Sequence, residues 1–293
     1  MPFLGAGVNA SSGSYQGLPL GGEVATRLVE KLIGQKIQSL GELVTVQAHA
    51  CLQQWDYSQD LARIGLENLA RVALHIELSN DSNYLVSLLM EVIPDKSCSP
   101  SPLLQALARL PLKLIVTTNY DRLLERALED ADTSFVSIVQ PLGGFSPNEQ
   151  REVQELLVSS DCLVVYKIHG SFTDEGQGVS APVIITEEDY IEFLTVIGQD
   201  KVGVPSLVAE KMVDSTLLFL GYSLEDWDFR TLFKGLVEKL PPRKRRRSIA
   251  IQKSPSPFWM EFWREKGVVI YDADLHGFAL DLEEKFLADA RRL

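Results

Sequence analysis

The feature that most constrains this chain is an alternation. Runs rich in Val, Ile, Leu and Phe recur at 113–118 (KLIVTT), 134–139 (SFVSIV), 163–168 (LVVYKI), 182–185 (PVII), 217–222 (LLFLGY), 248–252 (SIAIQ) and 268–272 (VVIYD), and each is nearly continuously apolar. A strand covered by helices on both faces has no polar side to show, so it reads this way. Between the runs lie helical stretches at 100–110, 121–131, 148–159, 187–197, 203–214, 226–239, 257–266 and 278–291. Strand and helix in turn predict an α/β fold built on a Rossmann-like, doubly wound parallel sheet. The first strand would be Pro2-Phe3-Leu4, short against the roughly 5–6 residues usual for a strand.

From 35 to 95 the alternation stops. Only helical patterns remain, such as LARIGLENLARVALHIEL at 61–78, where Leu61, Ile64, Leu69, Val72 and Leu74 fall close to a 3.6-residue period. The reading is an inserted helical subdomain at 35–95, with residues 1–34 and 96–293 forming the sheet domain. The Ser/Pro-rich DKSCSPSP at 95–102 marks the return.

Charge and cysteine usage exclude several function classes. Lys and Arg number 28 against 40 Asp and Glu, a net −12, so the chain is no general nucleic-acid coat. RKRRR at 243–247, after Pro241-Pro242, reads as a solvated loop, or else as a contact for nucleic acid or an acidic partner. Cys51, Cys98 and Cys162 are scattered and form no CxxC pair, which excludes a disulfide framework or a cysteine-built zinc site and suits a reducing compartment. No apolar run approaches the ~18 residues of a membrane span, and no leader pattern opens the chain. A cytoplasmic protein without membrane partners is expected.

Four segments could carry chemistry, each at the end of an apolar run. GAGVNA at 5–10 satisfies G-x-G-x-x-[G/A]: Gly5 allows a tight turn and Gly7 a close approach of backbone to a pyrophosphate. Glu23 and Glu30 fall within the first helix, so the acidic residue of a dinucleotide fingerprint, expected ~20 positions on, is missing. In TTNYD at 117–121, Asn119 and Asp121 could hold a carboxamide or a ribose, or simply cap the next helix. In KIHGS at 167–171, His169 reads either as a general base or as a structural histidine. In LFLGYSLEDWDFR at 218–230, Gly221 and Ser223 could meet a phosphate, while Ser223 and Asp226 suit helix capping. The sequence has no G-x-S-x-G, P-loop or H-E-x-x-H.

Taken in order, GAGVNA, GLP at 17–19, TTNYD, KIHGS, TEEDY at 186–190 and LGYS resemble the sirtuin superfamily. Within it the chain is most similar to the sirtuin-like NAD-hydrolysing proteins of bacterial anti-phage defence. That resemblance implies an NAD glycohydrolase that yields nicotinamide and ADP-ribose and depletes the cell of NAD, with NAD as substrate and no further cofactor or zinc. It implies that Gly5, Ala6 and Gly7 approach the NAD phosphates and that Asn119 holds the nicotinamide ribose and positions water. Asp121 would bind the carboxamide, His169 would act as general base, and Gly221 and Ser223 would line the adenosine side, with Asp272 or Asp274 near the adenine. Two departures separate the chain from the protein deacylases of the superfamily: the four-cysteine zinc module is missing, and Thr118 stands where they carry Gln. A non-catalytic NAD- or ADP-ribose-binding regulatory module is the alternative reading, and a deacylase the third. The resemblance further implies a homo-oligomer gated by a separate protein: a DNA-translocating ATPase, a short Argonaute or another sensor.

Overall fold

The computed structural model describes residues 1–43, 68–159, 162–172, 183–197, 203–225, 227–236 and 246–287. Among them seven strands form one sheet: β1 Pro2–Leu4, β2 Leu114–Thr117, β3 Phe135–Val139, β4 Leu163–Lys167, β5 Leu218–Leu220, β6 Ser248–Gln252 and β7 Val268–Asp272. The order is β3-β4-β2-β1-β5-β6-β7, and every pairing is parallel. The expected Rossmann-like α/β architecture is therefore present.

Burial along the strands follows their place in the sheet. Every residue of the inner strands β2 and β4 is buried, whereas β3 and β7 at the two edges are partly open. Near-continuous apolar runs are what inner strands covered on both faces require. One run is not a strand. Residues 183–185 of PVII are buried but run as coil: Ile184 donates its N–H to the His169 carbonyl (2.9 Å) and its own carbonyl accepts from the Tyr120 hydroxyl (2.6 Å). Loop contacts satisfy this backbone, so no ladder is needed.

The short first strand is central. Phe3 and Leu4 face Val116 and Thr117 of β2 on one side, and Phe219 and Leu220 of β5 on the other. The chain reverses its direction of travel across the sheet at β1/β5: β2, β4 and β3 lie on one side, β5, β6 and β7 on the other. The crevice outside the carboxyl ends of such a pair is where open α/β sheets bind ligands.

The described chain groups into two compact units. One comprises Met1–Leu18, Asp95–Ile184 and Ile191–Leu293, and carries the sheet; the other comprises Pro19–Pro94 with Ile185–Tyr190. The second unit holds the helices Gly21–Leu43, Leu69–Ser79 and Ser82–Val92. Asn68 and Asp81 cap the latter two by accepting the N–H groups of Arg71 and Tyr84. The run at 61–78 is helical from Leu69 on; Leu61 and Ile64 lie outside the described residues. No helix among the described residues is long and apolar enough to cross a membrane.

Gly221, directly after β5, has φ +76°, and a Cβ there would lie 2.4 Å from the Val8 nitrogen. A left-handed alanine costs about 1–2 kcal/mol before any collision. Gly221→Ala should therefore lower unfolding stability by more than about 2 kcal/mol, read as a fall in denaturation midpoint. Gly143→Ala is the control, because a Cβ at exposed Gly143 meets nothing within 4 Å; it should stay within about 0.5 kcal/mol of wild type.

Candidate functional site

Three strand ends are sewn together at the switch point. After β1 the chain turns through Gly5 into a 3-10 turn, Ala6–Asn9. Gly7 donates its N–H to the Gly221 carbonyl (2.9 Å), and a Cβ on Gly7 would lie 2.9 Å from the Gly221 Cα. The Leu4 carbonyl accepts from the Thr118 N–H (3.0 Å), the Thr117 hydroxyl (3.2 Å) and the Tyr222 hydroxyl (2.9 Å). The hydroxyls of Thr118 and Tyr222 also share a 3.0 Å bond. Burial raises the Tyr222 phenol well above its ordinary value, so it stays protonated and able to donate.

Beneath this seam lies a buried polar chain. The Asn9 side-chain amide donates to both carboxylate oxygens of Asp121, at 3.1 and 3.2 Å. Asp121 also accepts the Leu123 N–H (3.0 Å) in an Asx-type turn just ahead of the helix Leu123–Asp130, whose N-cap is Arg122. Burial raises the Asp121 carboxyl above the usual carboxylate range, and the nearby Lys167 ammonium opposes that shift. Lys167, the last residue of β4, donates to the Asp121 carbonyl (2.6 Å), the Tyr120 carbonyl (3.4 Å) and Glu125 Oε1 (3.1 Å). Asn9 Oδ1 and Glu125 Oε2 are buried without a hydrogen-bond partner.

His169 lies two residues beyond β4, 5% exposed, its ring edge-on to Phe193 at 5.3 Å. Burial pushes its pKa down from 6.5 to about 3, so the folded protein holds a neutral imidazole at pH 7. Between pH 6.5 and 3 the unfolded chain binds a proton that the folded chain refuses, so stability falls as pH drops through that window. At pH 5 the loss from this residue is about 2 kcal/mol. Thermal midpoints at pH 7 and pH 5 should show a steeper decline for wild type than for His169→Gln; parallel declines would contradict a buried neutral imidazole.

Hydrogen bonds thus join the four segments singled out above. Gly7 ties GAGVN to Gly221, Asn9 ties it to Asp121, and Lys167 ties TTNYD to the strand leading to His169. Gly5 is buried, Gly7 half-buried and Ala6 exposed; Asn119 is half-buried at the end of β2, its N–H on the Thr117 hydroxyl (3.1 Å). Ser223 is exposed, and Asp226 lies outside the described residues. Asp272 accepts the Ser254 N–H and Asp274 caps the helix Leu275–Leu282. Of RKRRR only Arg246 and Arg247 are described, both exposed. Among the described residues no three His, Cys, Asp or Glu side chains gather as a metal site would need.

The model of the SIR2-like domain family matches residues 113–271, more than half of the chain. The chain belongs to the SIR2-like family. That match runs from β2 to β7 and takes in TTNYD, KIHGS and LGYS. A curated relative, the NAD(+) hydrolase ThsA of Cytobacillus dafuensis, is 32% identical over 132 residues, which are 44% of this chain and 22% of that protein. The chain therefore spans about a fifth of the length of the curated relative it matches.

Within this SIR2-like sheet three polar residues escaped the sequence reading. Asn9 occupies a variable position of G-x-G-x-x-[G/A], and its partner Asp121 is 112 residues away. Lys167 and Glu125 look like ordinary surface charges, yet their side chains are 1% and 4% exposed. A lysine closing the apolar run LVVYK was the available signal, since a strand that deep shows no charge to water.

Proposed function

We propose that this SIR2-like chain cleaves the nicotinamide–ribose bond of NAD with water as acceptor, releasing nicotinamide and ADP-ribose. The observation that carries the reading is that hydrogen bonds join GAGVN, TTNYD, KIHGS and LGYS at the carboxyl ends of β1, β2, β4 and β5, around the β1/β5 switch point. The name of the Cytobacillus relative supports it. Backbone at Gly5, Ala6 and Gly7 would approach the phosphates, and Gly221 and Ser223 the adenosine side.

Bond breaking leaves positive charge on the ribose. The negative end of the Asn119 amide dipole would stabilise that charge and orient the water. Asp121, whose carboxylate is held by the Asn9 amide, is the residue assigned to the carboxamide. His169, neutral at pH 7, accepts a hydrogen bond from water or a ribose hydroxyl. In the cell this chain would work in the cytoplasm as an NAD-depleting effector of anti-phage defence, as a homo-oligomer gated by a separate sensor.

The test is nicotinamide release from NAD by the purified chain beside Asn119→Ala. Release that disappears in the variant supports both reaction and site. If NAD raises the thermal midpoint but no nicotinamide forms, alone or with co-expressed genomic neighbours, the chain is a binding module instead.

A further inference from the structure

The geometry points to Lys167 as a positioning residue that, with Glu125, holds the Asn119 loop in register with the His169 strand end. An ammonium group has three hydrogens, and here three acceptors surround it: the carbonyls of Tyr120 and Asp121 and the Glu125 carboxylate. The two carbonyls belong to the residues that directly follow Asn119. The Tyr120 carbonyl accepts in addition from the Phe172 N–H (2.9 Å) and the Ser171 hydroxyl (3.4 Å), so KIHGSF grips the same peptide from its other end. Glu125 in turn receives the Ser137 hydroxyl of β3 (3.4 Å). One buried side chain therefore fixes the turn after β2 from the strand that ends two residues before His169.

Stability does not demand such a pair. Taking two charges out of water costs several kcal/mol each, and apolar residues of similar volume often replace buried ion pairs without loss. A tripod serves where backbone direction matters, because three bonds from one nitrogen define a position that apolar packing does not. The kinetic consequence rests on the proposed NAD cleavage; the positioning itself does not.

The variant that separates the two is Lys167→Met/Glu125→Leu, which removes both charges together. Its thermal midpoint should fall only by what the Asp121 carbonyl loses with its donor, whereas Lys167→Met alone also strands a buried carboxylate and should fall well below the double variant. In the double variant, without ligand, amide exchange at Asn119, Leu123 and Phe172 should speed up at least roughly tenfold while β6 is unchanged. On NAD, kcat should drop about 10²-fold, as a displacement near 1 Å can produce, with KM within about threefold. Should that pair not fold, Lys167→Met/Glu125→Gln carries the same test. Wild-type exchange at those three amides would overturn the inference whatever the activity, and so would full kcat in a folded double variant. A wild-type protein that releases no nicotinamide counts against the cleavage reading alone, and the exchange result still decides the positioning.

Discussion

Asn119→Ala is expected to release nicotinamide about 10²–10³-fold more slowly than wild type, the range typical when one preorganised dipole at a charge-developing centre is removed. The loss should fall on kcat. Asn119 is half-buried, and its backbone N–H, which alanine keeps, makes the bond to the Thr117 hydroxyl. Truncation therefore leaves the turn intact, and the denaturation midpoint should move by less than the shift from about 0.5 kcal/mol. Calorimetric affinity for NAD should change by less than about tenfold, because the amide acts on charge that appears only as the bond breaks. A variant that turns over at the full rate would remove Asn119 from the site.

His169→Ala should cost about 10²-fold, the low end of the 10²–10⁴ common for acid–base residues. The reason is the burial that pushes this imidazole to about 3: a base that weak takes a full proton poorly at pH 7. It remains a good hydrogen-bond acceptor, and the ribose cation needs little help in capturing water. His169→Gln, which restores an acceptor, should recover part of the loss. The pH profile of kcat should show no acid limb between pH 5 and 7. A limb with a midpoint near 6.5 would mean that the imidazole titrates with solvent, against its burial behind Phe193.

How much could be read without coordinates follows burial geometry. Inner strands such as LIVT and LVVYK announce themselves because both faces are apolar. PVII has the same composition and the same burial, yet its backbone bonds to Tyr120 and His169 rather than to a ladder; composition reports burial, not hydrogen-bond partners. The glycine loop and the strand-end segments were legible because close backbone approach leaves its mark locally, as at Gly7 and Gly221. Asn9–Asp121 and Lys167–Glu125 were not, since both depend on side chains 112 and 42 positions apart meeting in a low-dielectric interior. Asp121 is not the cap of the helix after it, which is Arg122; it accepts the Leu123 N–H in the turn before that helix and holds Asn9 as well.

The three-residue β1 also sets an order of events during synthesis. It is made before both of its neighbours, β2 and β5, and Leu4 can reach Leu220 only after the roughly 200 residues between them exist. At the ~5–20 residues per second of translation, roughly 10–40 s separate the two. Until then β2, β3 and β4 can assemble on one side while the Gly7–Gly221 contact has no partner. The β1/β5 switch point is therefore completed late, by a long-range pairing of the kind that slows folding, and a nascent chain stalled before β5 would carry TTNYD and KIHGS without the strand end to which Gly7 bonds.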